Sequence, residues 1–483
     1  MNRSVSSGFA WKLMERFGVQ GIQFVLQIIL ARLLDPEHYG VLSLMVIFTT
    51  LANVFIQTGF NTALIQNKDV DEDDYSSVFW VTLLVASGLY GLLFFSAPLI
   101  ADFYNMPSIV LPFRVLSLML FPGALQSVQL AKVSKEMNFR KVFFSNVGAI
   151  VVSGAVGIFM AYRGAGVWAL VAQTLLNVTV ASIVMWFTVK WHPRFVCNLK
   201  RVKVLFAFGW KLLVSGLIDT LYQDLRSLVI GKKYNSDTLG HYNRGKQFPQ
   251  FIISAVNGAV QSVMLPAMSA KQDEKTQLKT MMRNSIMLSA YVLFPMMAGL
   301  AGVATPLVSL LLTDKWLPCV PFLQIYCFSF AFYPVHSCNL QAINAVGRSD
   351  MFLKLELIKK SYGVLALVIA VFCFDSPIAI AMTGLITSVI SCFVNAFPNK
   401  KLIGYSYFEQ MRDILPSFAL SLVMLAGIWA VSLIPMGTAL ALLLEITVGF
   451  AVYVALSAAL KIKPFMMILS ILKSFLKKKK GAA

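Results

Sequence analysis

The sequence predicts an all-α integral membrane protein with about fourteen transmembrane helices. Three observations predict it. Of 483 residues, 58% are hydrophobic and only 13% are charged, about half the charged share of a soluble domain; the mean hydropathy is +0.73. About fourteen apolar runs each approach the roughly twenty residues that a helix needs to span hydrocarbon. Lys and Arg gather in alternate connections between those runs, as in multi-pass proteins.

The first six runs lie near residues 9–34, 39–62, 78–100, 110–131, 142–162 and 166–189. Arg3 and Lys12 flank the first, which is long and lacks a small-residue cleavage site. It therefore reads as a retained helix and not a signal peptide. Before the third run, Asp69, Asp71, Glu72, Asp73 and Asp74 form an acidic connection. Acidic residues contribute little to orientation, so this segment reads as a solvated loop. Runs seven to twelve lie near 204–231, 240–268, 283–312, 319–343, 352–374 and 376–397. The seventh and eighth hold several charges, and a twelve-helix count is the main rival. A last pair lies near 414–434 and 437–460, followed by an apolar stretch from Pro464 to Leu472 and the run Lys477 to Lys480. Such a tail suits the anionic cytoplasmic leaflet.

Basic residues set the topology. The second connection has Lys68, the fourth Lys132, Lys135, Arg140 and Lys141, and the sixth Lys190, Arg194, Lys200, Arg201 and Lys203; the eighth to twelfth even connections continue the pattern through Lys279, Arg348 and Lys400. About thirty Lys and Arg fall on this side and about seven on the other, which puts both termini in the cytoplasm. The net charge of +19 thus reports topology rather than nucleic-acid binding. Cys197, Cys319, Cys327, Cys338, Cys373 and Cys392 form no CxxC pair and the four His are scattered, so buried structural cysteine is expected, with no metal and no cofactor. No Walker motif and no long catalytic loop is present, which argues against ATP-driven transport and against an enzyme.

Three segments repeat. Phe9-Ala10-Trp11-Lys12-Leu13 opens the first run and Phe208-Gly209-Trp210-Lys211-Leu212 the seventh; Asp35-Pro36-Glu37-His38-Tyr39-Gly40 lines up with Asn235-Ser236-Asp237-Thr238-Leu239-Gly240, and Ser127-Val128-Gln129-Leu130 with Ser337-Cys338-Asn339-Leu340. Shared order and a nearly constant offset indicate two parallel six-helix halves, 1–190 and 191–400, with a helix pair and basic tail over 401–483.

Polar side chains at membrane depth are costly and usually face a cavity or a partner. On the first run Lys12, Arg16, Gln20, Gln23 and Gln27 form one helical stripe. On the seventh, Lys211, Ser215, Asp219, Tyr222 and Arg226 repeat it, with spacings of three and four that suit 3.6 residues per turn. One reading is a hydrated, cationic cavity between the halves. The other is polar packing between helices plus snorkelling at their ends. Glu15, Asp219 and Asp224 are candidates for neutralising the cations or for ion coupling, with Asp224 off the stripe by phase. Glu445 has no evident partner. Lys232, Lys233, His241, Arg244 and Lys246 form a basic cluster on the outer side, against the orientation bias; Arg244 and Lys246 would wall the same cavity or sit in an exposed loop.

The stretch Ala31-Arg32-Leu33-Leu34-Asp35-Pro36-Glu37-His38-Tyr39-Gly40 resembles the polysaccharide transporter family, as do Gly166-Val167-Trp168-Ala169-Leu170-Val171 and Leu239-Gly240-His241-Tyr242-Asn243-Arg244-Gly245-Lys246. That family belongs to the multidrug/oligosaccharidyl-lipid/polysaccharide flippase superfamily, and colanic-acid exporters are its most similar members. The resemblance implies alternating-access transfer of a polyprenyl-pyrophosphate-linked oligosaccharide across a bacterial plasma membrane. It implies two six-helix bundles around a V-shaped cavity, with Arg16 and Arg226 as counterparts of pyrophosphate-binding arginines. The partners implied are the lipid-linked oligosaccharide, membrane lipids, and polysaccharide polymerase or assembly proteins. The alternative is an ion-coupled exporter of small amphiphilic drugs, which a net basic stripe disfavours.

Overall fold

A computed structural model describes residues 18–66, 70–136, 138–269 and 274–470. Among them every regular element is helical. Each apolar run, as far as it is described, falls on one helix or on two broken end to end. Ten segments are long and apolar enough to cross a bilayer, and an eleventh if Leu199–Ala207 and Gly209–Lys233, bent by 55°, form one span. The expected fourteen would add three further helices. Gln20–Leu33 is short as described, while Ser236–Ser269 and Ser349–Cys373 carry several charges.

The second, fourth and tenth runs are each interrupted. The breaks fall between Pro36–Gln57 and Gly59–Gln66, between Val110–Ser117 and Leu120–Lys135, and between Val320–Ala331 and Tyr333–Ala345. Pro122 and Pro334 follow the last two breaks by a few residues. Proline lacks the N–H that would bond back across the turn.

Contacts divide the chain into two compact units, Met1–Gly240 and His241–Ala483. In the first, Phe139–Tyr162 pairs with Val167–Thr188, and Leu199–Lys233 packs on Pro36–Gln57, Gly59–Gln66 and Glu72–Tyr104. The seventh run therefore groups with the first unit, although the repeat places it at the head of the second half. In the second unit, Lys275–Gly302 packs on Tyr407–Ser432, which packs on Thr438–Ala459. Tyr291, Met424, Ile428, Leu442 and Tyr453 form the core there.

Local chemistry explains the helix starts. Asp35 is extended and caps Pro36–Gln57, with Pro36 in the first turn and a capping box closed by His38. Proline suits that position because its missing N–H is one the helix leaves unbonded anyway. Val167–Thr188 begins after Gly166, whose φ of 56° is unfavourable for side-chain-bearing residues. A Cβ there would also fall 2.8 Å from His38 Nε2. Two of the segments that carry the resemblance therefore meet, and they meet as packing.

Candidate functional site

Helix Leu199–Lys233 has three faces over its spanning part. Leu213, Ser227 and Ile230 are buried, while Trp210, Val214, Ile218 and Leu221 are exposed. The remaining third, at 3.6 residues per turn, holds Lys211, Ser215, Asp219, Tyr222 and Arg226. Lys211, Ser215 and Asp219 are exposed, and Tyr222 and Arg226 are half-buried. A charged face distinct from both the packed and the apolar face needs a polar environment beside it, whether water, a ligand or other polar groups of the chain.

Within the stripe, Gln223 Nε2 donates to Asp219 Oδ2 at 2.8 Å. The Arg226 guanidinium carbon lies 5.9 Å from the Tyr222 ring centroid. Asp224 falls on the side of Leu213, as its helical phase predicts. On Gln20–Leu33, Gln20, Gln23 and Gln27 are half-buried, opposite the exposed Ile22, Val25 and Ile29. Gln20 Oε1 is buried with no hydrogen-bond partner. Glu15 and Arg16, with Lys12, lie outside the described residues.

The basic cluster after the seventh run is held by specific contacts. Lys232 Nζ donates to the Phe103 carbonyl and stands 4.4 Å from the Phe103 ring centroid. That carbonyl ends the Glu72–Tyr104 helix, where the helix dipole favours a cation. Arg244 is 5% exposed. Its guanidinium lies 5.0 Å from the Trp316 ring centroid and donates to Gln247 Oε1 at 2.7 Å. Arg244 is thus part of a packed wall in the second unit rather than an exposed loop; Lys246 beside it is half-buried.

From Asp71 to Asp74 the acidic connection before the third run is not a solvated loop, which corrects the expectation; Asp69 lies outside the described residues. Asp74 is 4% exposed and accepts from Arg201 Nη1 at 2.6 Å, with Asp71 at 2.9 Å from the same atom. Glu72 binds Lys132 at 2.7 Å and Trp191 Nε1 at 2.5 Å. Ser76 and Ser77 hydroxyls accept from the backbone N–H of Arg194 and Asn198. The acidic turn is a clamp on the connection that follows the sixth run. In the second unit Lys279 binds Glu409 at 3.0 Å and Arg283 binds Asp413 at 2.6 Å. The cysteine expectation also needs amending: Cys319, Cys327, Cys338 and Cys392 are buried, but Cys197 and Cys373 are exposed.

A polar cluster that sequence reading missed lies beside the break at Phe332. His336 Nε2 is 3.1 Å from Ser388 Oγ, and Nδ1 is 3.4 Å from Asn395 Nδ2. Ser388 Oγ donates to the Ser329 carbonyl at 2.8 Å. Farther along, Asn399 Nδ2 donates to Asn339 Oδ1 at 2.7 Å, and Asn339 Nδ2 to Gln410 Oε1 at 2.7 Å. The spacing Ser388, Ser391, Asn395, Asn399 is the helical period and was the available signal.

Residues 29–321 match a family described as polysaccharide biosynthesis protein. The chain is 26% identical over 357 residues to the teichuronic acid biosynthesis protein TuaB of Bacillus subtilis, covering 73% of each chain. It is 25% identical to the succinoglycan biosynthesis transport protein ExoT of Rhizobium meliloti, over 86% of this chain and 82% of the relative. Its fold is similar to that of the lipid II flippase MurJ in an inward closed conformation, with a TM-score of 0.76 and 15% identity over 94% of this chain and 98% of the other.

Proposed function

Because the chain belongs to the polysaccharide biosynthesis protein family, we propose that it moves a polyprenyl-pyrophosphate-linked oligosaccharide across a bacterial plasma membrane. The cargo is an exopolysaccharide or O-antigen repeat unit, taken from the cytoplasmic to the outer leaflet by alternating access. The observation that supports this reading is the polar third face of Leu199–Lys233, set apart from its packed and its apolar face. Its Arg226 offers a planar fork of donors that matches phosphate oxygens. Asp219, Gln223 and Tyr222 offer the mixed donors and acceptors that sugar hydroxyls use. The adjoining exposed apolar face suits a prenyl tail that stays in lipid.

In this reading Arg16, Gln20 and Gln23 on the first helix match the stripe on the seventh. The halves are 1–190 and 191–400, with 401–483 as the appended pair and tail. Both termini face the cytoplasm, and polymerase or assembly proteins are partners. ExoT is a transport protein and MurJ a flippase, which supports the transport reading.

Deleting the gene from its host and extracting the lipid-linked oligosaccharides tests the function. The expected result is one repeat unit accumulating on the cytoplasmic leaflet while its surface polymer disappears. Unchanged lipid-linked pools with normal surface glycan would remove the reading.

A further inference from the structure

The cluster around His336 has a consistent proton count. The Ser388 hydroxyl gives its single proton to the Ser329 carbonyl, so toward His336 it can only accept. Nε2 therefore carries the imidazole proton, and Nδ1 is the acceptor that Asn395 Nδ2 faces. The other amide atom, Asn395 Oδ1, is buried without a hydrogen-bond partner, and Asn395 is fully buried.

The geometry points to His336 as a proton-binding site in the second unit, with Asn395 as its positioning residue. A proton arriving on the Nδ1 lone pair makes Nδ1–H, which can no longer face an amide N–H. Half a turn of the Asn395 amide brings Oδ1 to accept that new proton and sends Nδ2 to the place Oδ1 had. One amide atom is unpaired before and the other after, so the amide opposes neither state. The site lies where the tenth run is broken between Val320–Ala331 and Tyr333–Ala345.

The surrounding charges are accounted for. From Ser349–Cys373, Lys359 is the cation whose field reaches His336, and it is paired with Glu356 at 2.5 Å. Tyr362 of that helix meets Ser391 Oγ at 2.5 Å. From Pro377–Ile403, Cys392 Sγ is 3.8 Å from Nε2. From Val320–Ala331, Tyr326 is bound to the Tyr242 hydroxyl and Cys327 is buried. From Lys275–Gly302, Tyr291 packs on Tyr453 and Arg283 is bound to Asp413. His336 is half-buried. Coupling of this proton to glycan movement rests on the proposed transport; the site itself does not.

Nitrogen NMR of the full chain in bilayers tests it, with His336→Gln to identify its signals among the four histidines. The expected spectrum has Nε2 protonated at high pH and a second proton arriving on Nδ1 as the pH falls. Asn395→Leu, which removes the acceptor for Nδ1–H, lowers proton affinity about tenfold. Asn395→Asp, acceptor-only when ionised, raises it by at least as much. A Nδ1–H tautomer at high pH, or an affinity unmoved in both variants, overturns the site. In vesicles, glycan flipping that responds to a pH gradient is expected to lose that response in His336→Gln. An intact response in that variant overturns the coupling. A His336 that titrates as described in a protein that moves no lipid-linked glycan keeps the site and removes the transport reading.

Discussion

Gly40 and Gly240 stand at matched positions of the two repeated segments, and each seats the other segment's first helical turn. A Cβ on Gly40 would fall 1.7 Å from the Ser236 carbonyl oxygen, and a Cβ on Gly240 would fall 2.0 Å from that of Pro36. Pro36 and Ser236 are themselves matched positions. The contact is reciprocal, as a twofold relation between the segments requires.

Alanine at either glycine forces two backbones apart. The expected loss is about 1–3 kcal/mol for each, read as a lower midpoint of thermal unfolding in detergent. Gly148 is the control, because nothing lies within 4 Å of a Cβ there. Gly148→Ala should leave the protein as stable or raise it by roughly 0.5–1 kcal/mol. Equal effects at all three positions would contradict the close approach.

Cysteine labelling checks the topology. Cys197 and Cys373 are exposed and follow the sixth and the eleventh runs, on opposite sides of the bilayer in the proposed orientation. A membrane-impermeant maleimide applied to intact spheroplasts should modify Cys373 and spare Cys197, with the reverse in inverted vesicles. The other four should react only after denaturation. Labelling of both from one side would break the alternation.

Arg226→Ala should slow flipping of a lipid-linked oligosaccharide about ten- to a hundredfold, the loss of a charge-assisted contact to phosphate. Arg226→Lys should fall between, since it keeps the charge and loses the fork. The exposed Arg163, over the Phe159 ring, serves as control, and Arg163→Ala should retain the wild-type rate. Initial rates in vesicles decide this, and an undiminished rate in Arg226→Ala would remove Arg226 from the site.

The clamp between Asp74 and Arg201 can be tested by exchange. Asp74→Arg alone should destabilise by about 1–3 kcal/mol, because it puts a cation beside Arg201 at a buried position; the half-exposed Arg201 keeps the figure at the lower end of such effects. Adding Arg201→Asp should recover part of the loss, as measured by unfolding midpoints and by protease cutting between residues 190 and 200.

The same clamp has a defined pH window. The backbone N–H of Asp74 holds the Asp71 carboxyl below its usual 3.8, with the Arg201 field assisting. A depressed carboxyl contributes stability above its unfolded value and loses it as pH falls through the folded one. Protease cutting of this connection should therefore be flat near neutrality and rise only below about pH 4. A rise already at pH 6 would point to another group.

Much of the fold was legible because its signals are local. Apolar runs of spanning length gave the helices in order. The three-and-four spacing placed Lys211 to Arg226 on one face and Asp224 off it. The start of the seventh helix came out five residues late, because Lys200, Arg201 and Lys203 dilute the hydropathy of a turn that Asn198 caps. What stayed hidden depends on partners far along the chain. Asp74 looks solvated until Arg201, more than a hundred residues on, is beside it. His336 looks isolated until Ser388 and Asn395 arrive on another helix.

The two clamps carry opposite polarity. In the first unit Asp73 and Asp74 sit at the start of the third helix and pair with Arg194, after the sixth, and Arg201, in the first turn of the seventh; in the second, Lys279 and Arg283 sit near the start of the ninth and pair with Glu409 and Asp413, which follow the twelfth. A nascent chain with two such pairings is at risk of docking one unit's helix start on the other unit's partner segment. Here that error sets carboxylate against carboxylate or guanidinium against ammonium, and it is rejected. The order of charge differs between the two units, so these paired parts are not interchangeable.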